Sequence, residues 1–591
     1  MPVTMTVSAV QQTILIPQTG LTFFAVQGGG LALPQFFNIL NTGRGQMIFS
    51  ATASTLSGGP WLSIFPGNGV SDASTSTVPQ VRVDVDPGSL SAGIYYGSIR
   101  VSSPGADNSP QFVSAVLNVL PPGTNIGPLV QPTGLIFSGI AGGELPGSQT
   151  VLVQNTSSNP MVFHSGRVTS NGQNWFTSLP PDGTITQAQA VRIVIQPQTS
   201  GLAAGVYRGS LTLSFSDGGI RNIALVLVLV PAGSAVPPPR ALSTVLAAGC
   251  TPTTLAPVFT LLQDGFSIPA GFPGQVAVRV IDDCAQPMTS GSVTVSFSNG
   301  DAPIGLASLK DGTWAATWTP AHSTAQVIVT ATAEIPEQRL KGQLQIKGGF
   351  QSYDQPPVIG TGAVVNAASF AAQSPLAPGS LVTLFGSKLA QGQGTASTLP
   401  LPMDLAGSSL IFAGQSAPLL FASDGQVNAI VPYGILVNTP QQVVVARSSA
   451  LSVPQSVIFA AAAPGIFTVN SSGSGQGIIV AADTNAIADA NHPIKAGQAI
   501  VIYCTGLGEV TPAVPTGSPA PFTQLSHTVE PISVTIDGMA ADVLFSGLTP
   551  GFVGFYQVNA MVPYGVTPGA QVPVTISGAG QQSKPVIIAV E

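Results

Sequence analysis

Apolar residues recur at every second position along the chain. Val81, Val83 and Val85 alternate with polar residues, and Val276, Val278 and Val280, then Val293, Val295 and Phe297, keep the same period. Each run ends in a cluster of Gly, Pro, Asn or Asp, which is the pattern of half-buried antiparallel strands closed by turns. Helical periodicity is almost absent. Short strands and turn signals repeated over hundreds of residues predict an all-β chain made of several β-sandwiches.

Internal repeats divide the chain. Trp61-Leu-Ser-Ile-Phe-Pro66-Gly-Asn-Gly69 has a counterpart in Trp175-Phe-Thr-Ser-Leu-Pro180-Pro-Asp-Gly183, and Leu90-Ser-Ala-Gly93-Ile-Tyr95-Tyr-Gly97 in Leu202-Ala-Ala-Gly205-Val-Tyr207-Arg-Gly209, at offsets of 114 and 112. Each copy closes on an apolar strand, Ser114 to Leu120 and Ile223 to Val230, followed by a Pro/Gly-rich linker (PPGTNIGP and PAGSAVPPP). Such linkers predict extended, semi-rigid spacing of the units they join. A second duplication lies near the C-terminus: Gln426-Val-Asn-Ala-Ile-Val-Pro-Tyr-Gly434 recurs as Gln557-Val-Asn-Ala-Met-Val-Pro-Tyr-Gly565, eight of nine residues identical. A Gly-led strand precedes each, from Gly379 and from Gly497.

Composition narrows the class. Only 7% of the 591 residues are charged, 17 Lys+Arg against 24 Asp+Glu for a net −7, where a globular protein usually has about a quarter. Gly and Pro number 67 and 52, yet 44% of the chain is hydrophobic, so it has ample apolar surface to bury and an ordered chain is expected. Its length demands several cores. No basic patch is available to displace counterions, which rules against nucleic acid as a partner. Mean hydropathy is +0.41, but the longest apolar stretch, Ile223 to Val230, falls far short of the ~20 residues of a spanning helix, so no membrane span is expected. The opening MPVTMTVSAV lacks the basic and apolar regions of a secretory signal. Since a lightly charged surface of Ser, Thr, Gln, Asn and Gly is commoner outside the cell, the expectation is an extracellular or cell-surface protein whose signal was removed or lies upstream of the assigned start.

The spaced motif Trp-x-x-x-x-Pro-x-x-Gly, a strand ending at Asp86-Pro87 or Gln196-Pro197, and Leu-x-x-Gly-x-Tyr-x-Gly resembles the BACON domain, an Ig-like sandwich of bacterial secreted and surface proteins. The resemblance covers about residues 15 to 232 and implies a carbohydrate ligand. Residues 241 to 349, with Gly312-Thr-Trp314-Ala-Ala-Thr-Trp318-Thr-Pro320, resemble bacterial Ig-like modules. Asn366-Ala-Ala-Ser-Phe370, Ala377-Pro-Gly379, Ala463-Pro-Gly-Ile-Phe467, Thr505-Gly-Leu-Gly508 and Pro550-Gly-Phe-Val-Gly-Phe-Tyr-Gln557 resemble the uncharacterised C-terminal domain of secreted proteins in Solibacter-type Acidobacteria. The expected organisation is thus a linear array of about five Ig-like β-sandwich domains: 1–121 and 122–240, BACON-like; 241–350, bacterial Ig-like; and 351–470 and 471–591, the two halves of the Solibacter-type region.

Candidate chemistry is sparse. Three Cys are too few for a disulfide scaffold, but Cys250 and Cys284 fall in one expected domain, and a bridge between them would add roughly 3 to 4 kcal/mol and require an oxidising compartment; the alternative is two thiols that never meet. Cys504, on an apolar strand with no visible base, reads as a core thiol. The four His, at 164, 322, 492 and 527, form no metal-ligand or catalytic spacing, and no nucleophile elbow occurs; the chain is expected not to be an enzyme and to need no cofactor. Asp483-Thr-Asn485 and Asp489-Ala-Asn491 offer oxygen ligands suited to Ca²⁺ but lack the loop register, so an Asx-rich turn is the simpler reading.

The resemblance to BACON makes Trp61, Trp175, Tyr95 and Tyr207 the candidates for stacking against sugar rings, although an aromatic repeated at equivalent positions also fits the packing centre of a sandwich core. Trp314 and Trp318 share one strand face and are open to the same two readings. In the Gln-Val-Asn repeat the amides of Gln426 and Asn428 should point to one face and Val427, Ala429 and Val431 to the other, with the amides satisfying backbone groups of a neighbouring loop. The expected function is non-catalytic adhesion or binding, with a polysaccharide or cell-envelope component as partner. The alternatives are a structural spacer and the accessory part of a secreted hydrolase.

Overall fold

The computed structural model describes residues 12–232, 250–351 and 356–591 apart from 158, 171 and 188. The opening segment 1–10 and most of the second Pro/Gly linker lie outside the described residues. The described chain is all-β: strands follow one another throughout, with a single 3-10 turn, Pro336–Gln338, and no α-helix among the described residues. It divides into two compact units, Gln11–Ala106 with Phe112–Gln355, and Pro356–Glu591, with which Asp107–Gln111 is grouped.

The first unit contains three sandwiches. In the first, a five-stranded sheet (Gly20–Val26, Gln111–Leu120, Gly93–Ser102, Gln46–Thr55, Asn68–Asp72, in spatial order) faces a three-stranded one (Gln35–Asn38, Gln80–Val85, Leu62–Phe65). The second repeats this plan: Gly134–Ile140, Ile220–Val230, Gly205–Phe215, Met161–Thr169 and Asp182–Ile185 form one sheet, and Leu129–Gln131, Gln149–Gln154, Val191–Pro197 and Phe176–Leu179 the other. In both, the first strand pairs in parallel with the last, Gly20 opposite Ser114 and Gly134 opposite Ala224. The third is an eight-stranded sheet running from Leu255–Phe259 to Phe266–Pro269 and folded around Trp314 and Trp318.

The alternation in the sequence places Val81, Val83 and Val85 in the first core and Val276, Val278, Val280, Val293, Val295 and Phe297 in the third. The unbroken apolar run Ile223 to Val230 has a different cause. Its odd positions, Ile223, Leu225, Leu227 and Leu229, fill the second sandwich. Its even positions Val226, Val228 and Val230 pack against Ala256, Val258 and Ile281 of the third, so the strand is buried on both faces.

The spacing expected from linker composition does not hold here. The second and third sandwiches share an apolar seam, and the first and third share a smaller one of Leu40, Ala277, Leu309 and Ala315. Lys310 adds to the latter by donating to the carbonyls of Ala73 and Thr75 at 2.9 and 3.0 Å.

The second unit holds two sandwiches of related plan. The central strands of the first are Leu381–Ser387, Gln426–Ile430 and Leu419–Ala422; those of the second are Ala499–Thr505, Tyr556–Met561 and Val543–Leu548. Gly379 and Gly497 lead the Gly-led strands at φ +73° and +80°, where a side chain is strained. A Cβ at either would collide with the ring of the Tyr in the following repeat, Tyr433 and Tyr564 respectively, which explains why both copies begin with Gly.

Candidate functional site

The four aromatics singled out near the N-terminus are structural. Trp61 and Trp175 are only 3% and 1% exposed and belong to the two sandwich cores, leaving no ring face for a ligand. Trp61 Nε1 donates to the Ser57 carbonyl at 3.0 Å. Tyr95 and Tyr207 are half-buried against those same cores, and their hydroxyls reach back to the carbonyls of Ser91 and Ala203, 2.9 and 2.8 Å away. Each closes a corner four residues back along the chain, in the manner of the tyrosine corner of Ig-type sandwiches. The repetition thus marks packing: the two indoles are enclosed, and the two phenols are each tied to their own corner.

Trp314 and Trp318 are core residues as well. Trp318 stacks on Phe297 at 4.2 Å between ring centroids, and the indole nitrogens donate to the Met288 carbonyl and to Asp301 Oδ2, both at 2.9 Å.

Cys250 and Cys284 are bonded, with 5.7 Å between their Cα atoms. Beside the bridge, Asp282 is buried and accepts from the backbone N–H groups of Cys284 and Gln286 at 2.9 and 2.8 Å. Burial dominates and raises its carboxyl to about 6 despite those two bonds. Cys504 is fully buried, and desolvation pushes its thiol far up, the opposite of what a nucleophile needs. Asp489 accepts from the N–H groups of Asn491 and His492, which makes an Asx turn there, the reading preferred above to a Ca²⁺ loop. No group of three or more His, Cys, Asp or Glu able to hold a metal occurs among the described residues.

The duplicated Gln-Val-Asn strands carry the feature that stands out. Val427, Ala429 and Val431 enter the core of the first C-terminal sandwich, and Val558 and Ala560 that of the second, so the amides face outward. They bond to each other and not to a loop backbone: Gln426 Nε2 donates to Asn428 Oδ1 at 2.9 Å, and Gln557 Nε2 to Asn559 Oδ1 at 3.3 Å. Two residues apart on one strand, they stand side by side, which brings them within reach.

Neighbouring strands add an aromatic on either side. Phe385 lies opposite Gln426 and Phe421 opposite Asn428; in the second sandwich Tyr503 lies opposite Gln557 and Phe545 opposite Asn559. Each sandwich therefore presents an aromatic, amide, amide, aromatic strip across three adjacent strands. Phe385 is 38% exposed, and the other strip residues are half-buried. In the second sandwich the strip continues into Phe555, 5.7 Å from Tyr503 and stacked on Phe467 at 4.7 Å. The aromatics escaped sequence reasoning because they come from other strands. One signal was present: Phe385 and Tyr503 stand at the same distance from Gly379 and Gly497.

No family model matches the chain, and no curated protein matches it. Among solved structures it is similar to the periplasmic chaperone SfaE (13% identity over 38% of this chain and all of that one, TM-score 0.17). It is also similar to protocadherin gamma B7 extracellular cadherin domains 1–4 (11%, 57% and 76%, 0.15). A third similarity is to the N-terminal eight Ig domains of Down syndrome cell adhesion molecule (9%, 99% and 74%, 0.17). Likenesses at these scores carry no argument about function.

Proposed function

We propose that the chain is an exported, non-catalytic adhesion-type protein that works outside the cell, with a polysaccharide or envelope component as its partner. The observation that carries this reading is the Cys250–Cys284 bridge, because a disulfide persists where the compartment is oxidising. The 7% charge content and the construction from tandem sandwiches support it, and the resemblance to BACON and Solibacter-type secreted domains belongs to the same reading. Tandem modules suit adhesion, since weak sites held together gain from effective concentration.

The test is thiol trapping with localisation. Cells producing the full chain are acid-quenched, unfolded and labelled with maleimide before and after reduction, and intact cells are treated with protease. The expected result is one reactive thiol, Cys504, before reduction and three after it, with the chain cleaved on intact cells or recovered from the medium. Three reactive thiols without reductant, in a protease-protected chain, would overturn the reading.

A further inference from the structure

We propose that the outward strip of each C-terminal sandwich binds a neutral polysaccharide chain, with Phe385, Gln426, Asn428 and Phe421 forming one site and Tyr503, Gln557, Asn559 and Phe545 the other. This deepens the reading of an extracellular binding protein and rests on it, but moves the ligand from the N-terminal aromatics to the second unit.

The sandwich cores are built without these residues. The inward positions of the same strands, Val382, Leu384, Val427 and Ala429 in one sandwich and Ile500, Ile502, Val558 and Ala560 in the other, build the cores. An outward sheet face needs only to be soluble. Both sandwiches nevertheless place two rings and an amide pair there, in one register.

The chemistry of the strip matches a sugar polymer. A pyranose has an apolar C–H face, which an aromatic ring can cover, and hydroxyls at its rim that both donate and accept. The Gln-to-Asn bond uses one N–H and one carbonyl of the pair; the Gln carbonyl and the remaining N–H groups are of the kind that vicinal hydroxyls engage. The two rings stand one strand to either side of the amides and are offset by two residues along the strands, so their backbone positions are separated by about 12 Å, a little more than the span of two sugar units. No strip position carries a formal charge, which fits a neutral polymer and disfavours uronate, sulfate or phosphate ligands. The strip lies on a sheet face and not in a cavity; Phe385 is exposed there although Thr383 and Ile430 on the same face are buried, and such a face suits an extended chain, whereas a monosaccharide needs a cavity that surrounds it. A peptide adding as a strand is disfavoured as well, because the Gln426–Ile430 strand is already paired on both edges.

The test is affinity electrophoresis of the full chain through native gels containing hydroxyethylcellulose, galactomannan or xylan, with polygalacturonate as the charged comparison. Retardation is expected in at least one neutral polymer and not in polygalacturonate. The double variant Phe385→Ala/Tyr503→Ala should weaken it by about tenfold or more. Gln426→Met/Gln557→Met, which keeps side-chain volume while removing the amides, should do the same, and Tyr503→Phe should retain binding. If the alanine variant unfolds, the methionine pair decides.

Migration unretarded in every neutral polymer would overturn the inference, as would folded strip variants retarded like the parent or retardation by polygalacturonate alone. Those outcomes leave the extracellular reading standing if thiol trapping and protease accessibility support it. An intracellular, reduced chain would remove that reading whatever the gels show.

Discussion

The hydroxyl of Tyr433, next to last in the first Gln-Val-Asn repeat, lies 3.2 Å from the hydroxyl of Tyr556, which immediately precedes the second and donates to the Gly508 carbonyl at 2.6 Å. The pair joins the two C-terminal sandwiches. Around it, the N–H of Tyr433 donates to Thr516 Oγ1 and that of Gly434 to Glu509 Oε1, at 3.1 and 2.8 Å. Tyr556→Phe would strand the buried Gly508 carbonyl. It should cost about 1 to 3 kcal/mol, measured by denaturant unfolding, and a double-mutant cycle with Tyr433→Phe should show coupling of at least about 0.5 kcal/mol.

The same pair predicts alkaline lability. Burial raises Tyr433 to about 12 and Tyr556 well above its ordinary value. A phenol whose folded pKa is raised holds its proton where the unfolded chain has lost it, so stability falls as pH climbs from about 10 to about 12. Melting temperature across that window should fall less in Tyr433→Phe than in the parent. Equal slopes would argue against the assignment.

Asp282 predicts a dependence at the acid end. Its carboxyl, raised to about 6 by burial, binds a proton more tightly in the folded chain. Its contribution to stability is therefore greatest below the unfolded value of 3.8, declines as pH rises to about 6 and is flat above. Asp282→Asn keeps an oxygen acceptor for Cys284 and Gln286. It should stabilise the third sandwich at pH 7 by up to about 3 kcal/mol and flatten the profile between pH 4 and 6 in thermal melts.

Removing the bridge should be costly. Cys250→Ser opens a loop closed across a sequence separation of 34, a loss of about 4 kcal/mol by loop entropy, visible as a lowered unfolding midpoint of the third sandwich. Reductant should lower the parent towards the variant and leave the variant unchanged.

The N-terminal aromatics should behave as scaffolding. Trp61→Ala or Trp175→Ala should cost about 3 to 5 kcal/mol, and Tyr95→Phe or Tyr207→Phe about 1 kcal/mol through the lost corner bond. Polymer retardation per folded molecule should not change. A folded Trp61→Ala/Trp175→Ala variant that lost retardation would return the binding site to the first two sandwiches.

The strands are legible in the residues alone, because side chains on a strand alternate between two faces and the Val runs announce which face is apolar. The two duplications are legible there as well, whereas the meeting of Cys250 and Cys284, left open by their spacing, is settled by the fold. Tertiary structure decided what local pattern cannot: that Trp61 and Trp175 are enclosed, that Val226, Val228 and Val230 have a second core to meet, and that Phe385 and Phe421 flank an amide pair on a strand between them. These facts depend on segments far apart in the chain.

Tyr433 and Tyr564 make the division plain. They sit in nearly identical nine-residue stretches and pack against equivalent glycines, yet Tyr433 is half-buried beside Tyr556 and Tyr564 is 81% exposed. The backbone of the turn follows from local residues, but a side chain's environment is set by whatever the rest of the fold places next to it.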